Sequence, residues 1–147
     1  MADTGPDTIL LDLFRTNQMR ERLLEASLDG LDLPPEDYPF YVLIGAEGPW
    51  TPTALAARLE MPLSTVLFRV RRLEKRGHAE RTPNPDDRRS YLVELSKDGQ
   101  QLLGKARPRF RALALAVEER LGGAQISALR GGLGELREAI ETELDTS

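Results

Sequence analysis

The sequence has no cysteine and a single histidine, His78. Without cysteine there is no disulfide, no thiolate metal site and no thiol redox sensor. With one histidine, no set of metal ligands stands at suitable spacing, and the usual nucleophile–base pairs of covalent catalysis are missing. Carboxylates are plentiful, but no pair marks a recognisable cleft, so neither an enzyme nor a cofactor is expected. Long apolar runs are lacking too. The start, MADTGPDTILLDLF, has no basic region followed by an apolar run, and nothing reads as a signal peptide or membrane span. The expected location is cytoplasmic. Aromatic residues are scarce: eight in 147, of which four fall between Tyr38 and Trp50.

Charge is present but uneven. The whole chain carries a net charge of −4, yet residues 62 to 89 hold eight Lys/Arg against four Asp/Glu. A basic stretch inside an acidic protein reads either as a solvated surface or as the footprint of a nucleic acid. The acidic remainder would discourage docking of DNA by the wrong surface.

Apolar spacing predicts a helix over residues 7–28, through Ile9, Leu10, Leu13, Phe14, Leu24 and Leu28, with Asp7 as its N-cap. After the break from Gly30 to Pro35, a short helix over 36–47 is expected, interrupted early by Pro39 and ended by Gly48-Pro49. Thr51-Pro52 signals a third helix start. Ser64 is expected to cap a fourth helix running to about Arg76, with Gly77 closing it. The period then changes to two. His78–Thr82 and Ser90–Leu95 read as strands around the turn-rich segment PNPDDRR. Ser96 opens a long fifth helix that Pro108 should kink. Beyond Gly122-Gly123, a last helix carries Ile126, Leu129, Leu133, Leu136, Ile140 and Leu144, close to a heptad seam that Gly131, Gly132 and Gly134 weaken. The fold class is mainly α with a small β-hairpin wing, about six helices in one domain over residues 1–147, with a winged helix-turn-helix over 50–95.

The fourth helix carries the candidate site. At 100° per residue, Val66, Val70 and Leu73 fall within about 60° of one another and form its core face. Ser64, Phe68, Arg71, Arg72 and Lys75 fall opposite, with Thr65 flanking them and Glu74 toward the edge. Arginine pairs bidentately with guanine or phosphate, and hydroxyls near a helix N-terminus reach phosphates or base edges. Phe68 suits a thymine methyl group, or equally a protein partner. On the hairpin, Arg88 and Arg89 suit a narrow minor groove, with Asp87 shaping the wing through a pair to Arg89. The alternatives are a mixed-charge solvated turn and a protein-interaction module without specific DNA binding.

The run from TPTALAARLEMPLSTVLFRVRRLEKRG through PNPDDRRSYLVELSKDGQQLL resembles the MarR family of regulators. The family's wing reads Asp-Pro-x-Asp-x-Arg before a Leu-Thr-x-x-Gly helix start. Asn84, Pro85, Asp87 and Arg89 match the first pattern, and Ser96 to Gly99 match the second. The departures are Glu60 where the family often has Gly, Asn84 where it often has Asp, and Phe68 where a polar or basic residue is common. The resemblance implies a DNA-binding transcriptional regulator and a homodimer joined through residues 7–29 and 97–146. It aligns Arg89 with the minor-groove arginine, and Ser64, Thr65, Phe68 and Arg72 with groove-facing positions. It puts His78 at the start of a wing strand, in a structural role. It further implies a small aromatic or acidic effector, for which Phe14, Tyr38, Tyr41 and Trp50 are candidate pocket residues, although core packing explains the same aromatics.

Overall fold

A computed structural model describes residues 8–147. They form two compact units, one reaching Phe110 and one from Arg111 to Ser147.

The first unit opens with α1 (Ile9–Ser27), whose first turn is capped by the Thr8 hydroxyl accepting from Leu11 N at 3.3 Å. Asp7, the expected cap, lies outside the described residues. A 3₁₀ turn over Pro35–Asp37 leads into α2 (Tyr38–Glu47). Pro39 does not interrupt this element. It sits in the first turn of α2, where a missing N–H breaks no helical bond. Thr51 caps α3 (Pro52–Leu59) through Ala54 N at 3.1 Å. Glu60 then takes the left-handed conformation at φ 54°, and Met61 N reaches back to the Ala56 carbonyl at 3.0 Å. That is the helix-closing pattern glycine usually serves, made here by a residue with a Cβ.

The fourth helix, α4 (Leu63–Lys75), is capped by Pro62 rather than Ser64. The Pro62 carbonyl accepts from both Thr65 N and Val66 N at 3.1 Å. Ser64 therefore stands one residue inside the helix, exposed and free of capping duty. At the other end Gly77, at φ 74°, donates to Glu74 O, and His78 N donates to Leu73 O, each at 2.9 Å. These two bonds satisfy carbonyls that the last turn would otherwise leave open.

Two antiparallel strands follow, β1 (Ala79–Pro83) and β2 (Tyr91–Leu95), in a register running from Ala79↔Leu95 to Pro83↔Tyr91. Trp50 adds a bridge to Val93 on the far edge of β2, exchanging both backbone hydrogen bonds with it. Ser96 then opens α5 (Lys97–Leu121), accepting from Gly99 N at 3.1 Å and donating to the Gly77 carbonyl. Gly99 is required by packing: a Cβ there would lie 2.2 Å from the His78 carbonyl oxygen. The core gathers Leu24, Phe40, Tyr41, Leu55, Val66, Val70 and Val93, all at most 1% exposed. Each such side chain contributes roughly 1.5–3 kcal/mol by leaving water. The result is a winged helix-turn-helix, with α3 and α4 as the helix pair and β1–β2 as the wing.

The second unit consists of the end of α5, past Pro108, which does not break that helix, and α6 (Gly123–Thr146). Gly122, at φ 80°, makes the turn between them. Gly131, Gly132 and Gly134 leave α6 continuous. None of its residues is buried. Leu129, Leu133 and Leu144 are 52%, 50% and 70% exposed.

Candidate nucleic-acid interface

Helix α4 divides as its angles require. Val66, Val70 and Leu73 are fully buried. Ser64, Phe68, Arg71 and Lys75 are exposed, and Thr65 is half-buried. Arg71 and Lys75 make no ion pair among the described residues, so their charges are available to a partner. Phe68, 58% exposed, has the guanidinium carbons of Arg69 and Arg72 at 6.0 and 5.9 Å from its ring centre, the outer limit of cation–π contact.

Arg72 is placed differently from the rest of the expected set. With Arg69 it lines the flank of α4 that meets the 3₁₀ turn before α2. There Asp37 is fully buried, its Oδ1 accepting from Arg69 NH1 at 3.1 Å and its Oδ2 lying 3.5 Å from Arg72 NH2. Glu36 adds contacts to both arginines at 3.5 and 3.7 Å. Backbone hydrogen bonding, opposed by partial burial and assisted by the two arginines, holds the Glu36 carboxyl below its ordinary value. Asp37 Oδ2 and Arg69 Nε make no hydrogen bond. A buried carboxylate is stable only against nearby cations, so this cluster ties α4 to α2. Composition and spacing did not single out Asp37 or Arg69, because their pairing spans 32 residues. The helical angle was the only available signal, since Arg69 and Arg72 share an edge.

The wing tip is shaped by two side-chain turns. Asn84 Oδ1 accepts from Asp86 N at 3.1 Å, and Asp87 Oδ1 accepts from Arg89 N at 2.9 Å. Asp87 thus meets Arg89 at its backbone amide; the pair to the side chain is not formed. A short Asp side chain reaches two residues ahead more readily than it spans to a guanidinium. Both Arg88 and Arg89 are exposed, and neither guanidinium is paired among the described residues. At the wing's base, Arg81 makes two hydrogen bonds to the Glu74 carboxylate, at 2.6 and 3.1 Å, and lies 4.2 Å above the Tyr91 ring.

The candidate effector residues are not gathered at one site. Tyr38 and Tyr41 are core residues, and burial raises both phenols above their ordinary range. Tyr41 OH hydrogen-bonds His78 Nδ1 at 2.6 Å. Trp50 is half-buried and donates its indole N–H to the Leu43 carbonyl at 3.0 Å. Phe14 is 58% exposed on α1. An open cleft of about 280 Å³ lies elsewhere, between Ile44, Gly45, Gly48, Glu94, Leu95 and Gln100. Among the described residues, no group of three or more His, Asp or Glu could hold a metal, and no helix is long and apolar enough to cross a membrane.

This geometry has known counterparts. A profile of the MarR family matches residues 42–91. The multiple antibiotic resistance protein MarR of Salmonella typhimurium is 32% identical over 97 residues, covering 66% of this chain and 67% of that protein. A probable transcriptional regulator from Pseudomonas aeruginosa superposes with a TM-score of 0.78 at 30% identity, over 89% of this chain and 98% of that one. A mutant MarR from E. coli, complexed with operator DNA, gives a TM-score of 0.77 at 26% identity, over 84% and 89% of the two chains. The likeness takes in the helix pair and the wing alike, and the chain belongs to the MarR family.

Proposed function

We propose that the chain is a sequence-specific regulator of transcription that binds double-stranded DNA as a homodimer on near-palindromic sites. One observation carries this reading: the face of α4 opposite its buried stripe is exposed and cationic, with Arg71 and Lys75 unpaired and two further unpaired arginines on the wing tip. Helix α4 fits a major groove, with Ser64 and Thr65 at its N-terminal end near phosphates and Phe68 against a thymine methyl. Arg88 and Arg89 fit the adjoining minor groove. Arg72 acts by holding α4 in place, through Asp37. The relative solved with operator DNA supports this docking. In this reading residues 50–95 are the DNA-binding lobe, and the protein works in the cytoplasm without catalytic activity.

The second copy is proposed from exposed apolar residues: on α6, Leu129, Leu133 and Leu144 are at least half exposed and Ile140 is 36% exposed, and on α1, Ile9, Leu10 and Phe14 are each more than half exposed. Monomers rarely leave that much apolar surface to water. For an aromatic effector the chain offers Phe14 rather than the tyrosines, whose rings belong to the core; a thermal-shift screen of aromatic acids tests this part.

Selection of binding sites from a random duplex pool tests the function. A near-palindrome with half-sites about one helical turn apart is expected, bound with affinity that falls steeply as salt rises. Failure to select any duplex, or binding indifferent to salt, would instead favour a protein-interaction module.

A further inference from the structure

The wing is a two-stranded hairpin anchored at its base by the Trp50–Val93 bridge and by buried Ala79, Val93 and Leu95, but the ribbon that reaches beyond that base has little rigidity of its own. Its tip arginines serve a groove only if the hairpin stands at a fixed angle to α4. The strand period shows what fixes it. Arg81 lies opposite Val93 and diagonal to Tyr91, on the face that also carries buried Ala79 and Val93. That inward face turns toward α4. Arg81 keeps its guanidinium exposed, and Glu74, half-buried on the edge of α4 away from Asp37, pairs with it through two hydrogen bonds. The outer face of the wing instead sets Glu80 opposite Glu94, both exposed. Two carboxylates there repel phosphates, so the hairpin must meet DNA by its tip.

We propose that Glu74 and Arg81 are positioning residues: their paired side chains, with Arg81 lying over the Tyr91 ring, brace the wing against α4 and set where Arg88 and Arg89 fall relative to the groove that α4 enters. This rests on the DNA-binding reading above. It makes a prediction whose sign is opposite to that of simple electrostatics. Glu74 is an anion on a helix that approaches DNA, and its removal alone should tighten binding. If it is a brace, its removal loosens the wing and weakens binding.

The test compares wild type, Glu74→Gln, Arg89→Ala and the double variant on a duplex selected by the wild-type chain, at one salt concentration. Glu74→Gln is expected to weaken binding about fivefold, and Arg89→Ala to cost less in its presence than alone, because a misplaced wing has less to lose. Amide hydrogen exchange of the DNA-free protein is read in parallel. Exchange across 79–95 should quicken in Glu74→Gln while α2 and α3 keep their wild-type protection. Equal or tighter binding by Glu74→Gln, full additivity with Arg89→Ala, or unchanged wing exchange would each overturn the brace. Faster wing exchange in a protein whose wild type binds no duplex would place the fault in the DNA-binding reading, and the positioning role would fall with it.

Discussion

Helices α4 and α6 carry the same kind of pattern and meet opposite fates. Both set apolar residues at three-to-four spacing along one side. In α4 the stripe of Val66, Val70 and Leu73 vanishes from solvent within the protomer. In α6 the stripe through Leu129, Leu133 and Leu144 stays at least half exposed. Amphipathic spacing therefore states that a face will be covered, without stating by which chain. A face covered from within stabilises the protomer; a face left open is available to a second copy.

The largest expected effect breaks this contrast on the α6 side. Changing Leu129 and Leu133 together to Glu should convert a dimer to a monomer in sedimentation equilibrium, with little loss of helicity, since neither side chain is buried within its own chain. A variant that stays dimeric would remove α6 from the interface. On the α4 side, Leu73→Ala should leave the subunit contacts alone and lower the unfolding free energy by about 3 kcal/mol, the usual cost of emptying a closed core position. Chemical denaturation at fixed protein concentration measures it. A smaller gain is expected from Glu60→Gly. Relieving the left-handed Cβ at the end of α3 should raise stability by about 1 kcal/mol, read as a higher denaturation midpoint with an unchanged slope.

The smallest effect is acid dependence. The folded state holds the Glu36 carboxyl below its ordinary value, so its contribution is present at neutral pH and is lost as pH falls through the folded value, below about 4.5. Glu36→Gln should flatten the stability profile over that window, and a profile identical to wild type would show that the carboxylate adds nothing there.

Legibility in the sequence followed locality. Thr51-Pro52, Gly77 and Ser96 each act within a few residues, and the structure uses all three as their chemistry suggests. Ser64 misled because a proline two residues earlier already fixes the helix entry, and its carbonyl takes the first bonds. The buried face of α4 followed from angle alone. The two flanks of that helix did not, because Arg69 and Arg72 meet Asp37, and Glu74 meets Arg81, across turns of the chain that spacing along the sequence does not measure. The aromatic cluster from Tyr38 to Trp50 fits core packing, since its tyrosines are buried and bonded inside the protomer.

The most direct measurement concerns the uncovered side of α4 and the hairpin tip together. Affinity for a duplex selected by the wild-type protein, compared with the Arg71→Ala/Arg89→Ala variant across a salt series, asks whether those free guanidiniums are what DNA meets. Binding weakened by about a hundredfold, with a shallower dependence on salt and an unaltered thermal unfolding curve, is the predicted result. Wild-type affinity and wild-type salt dependence in that variant would contradict it.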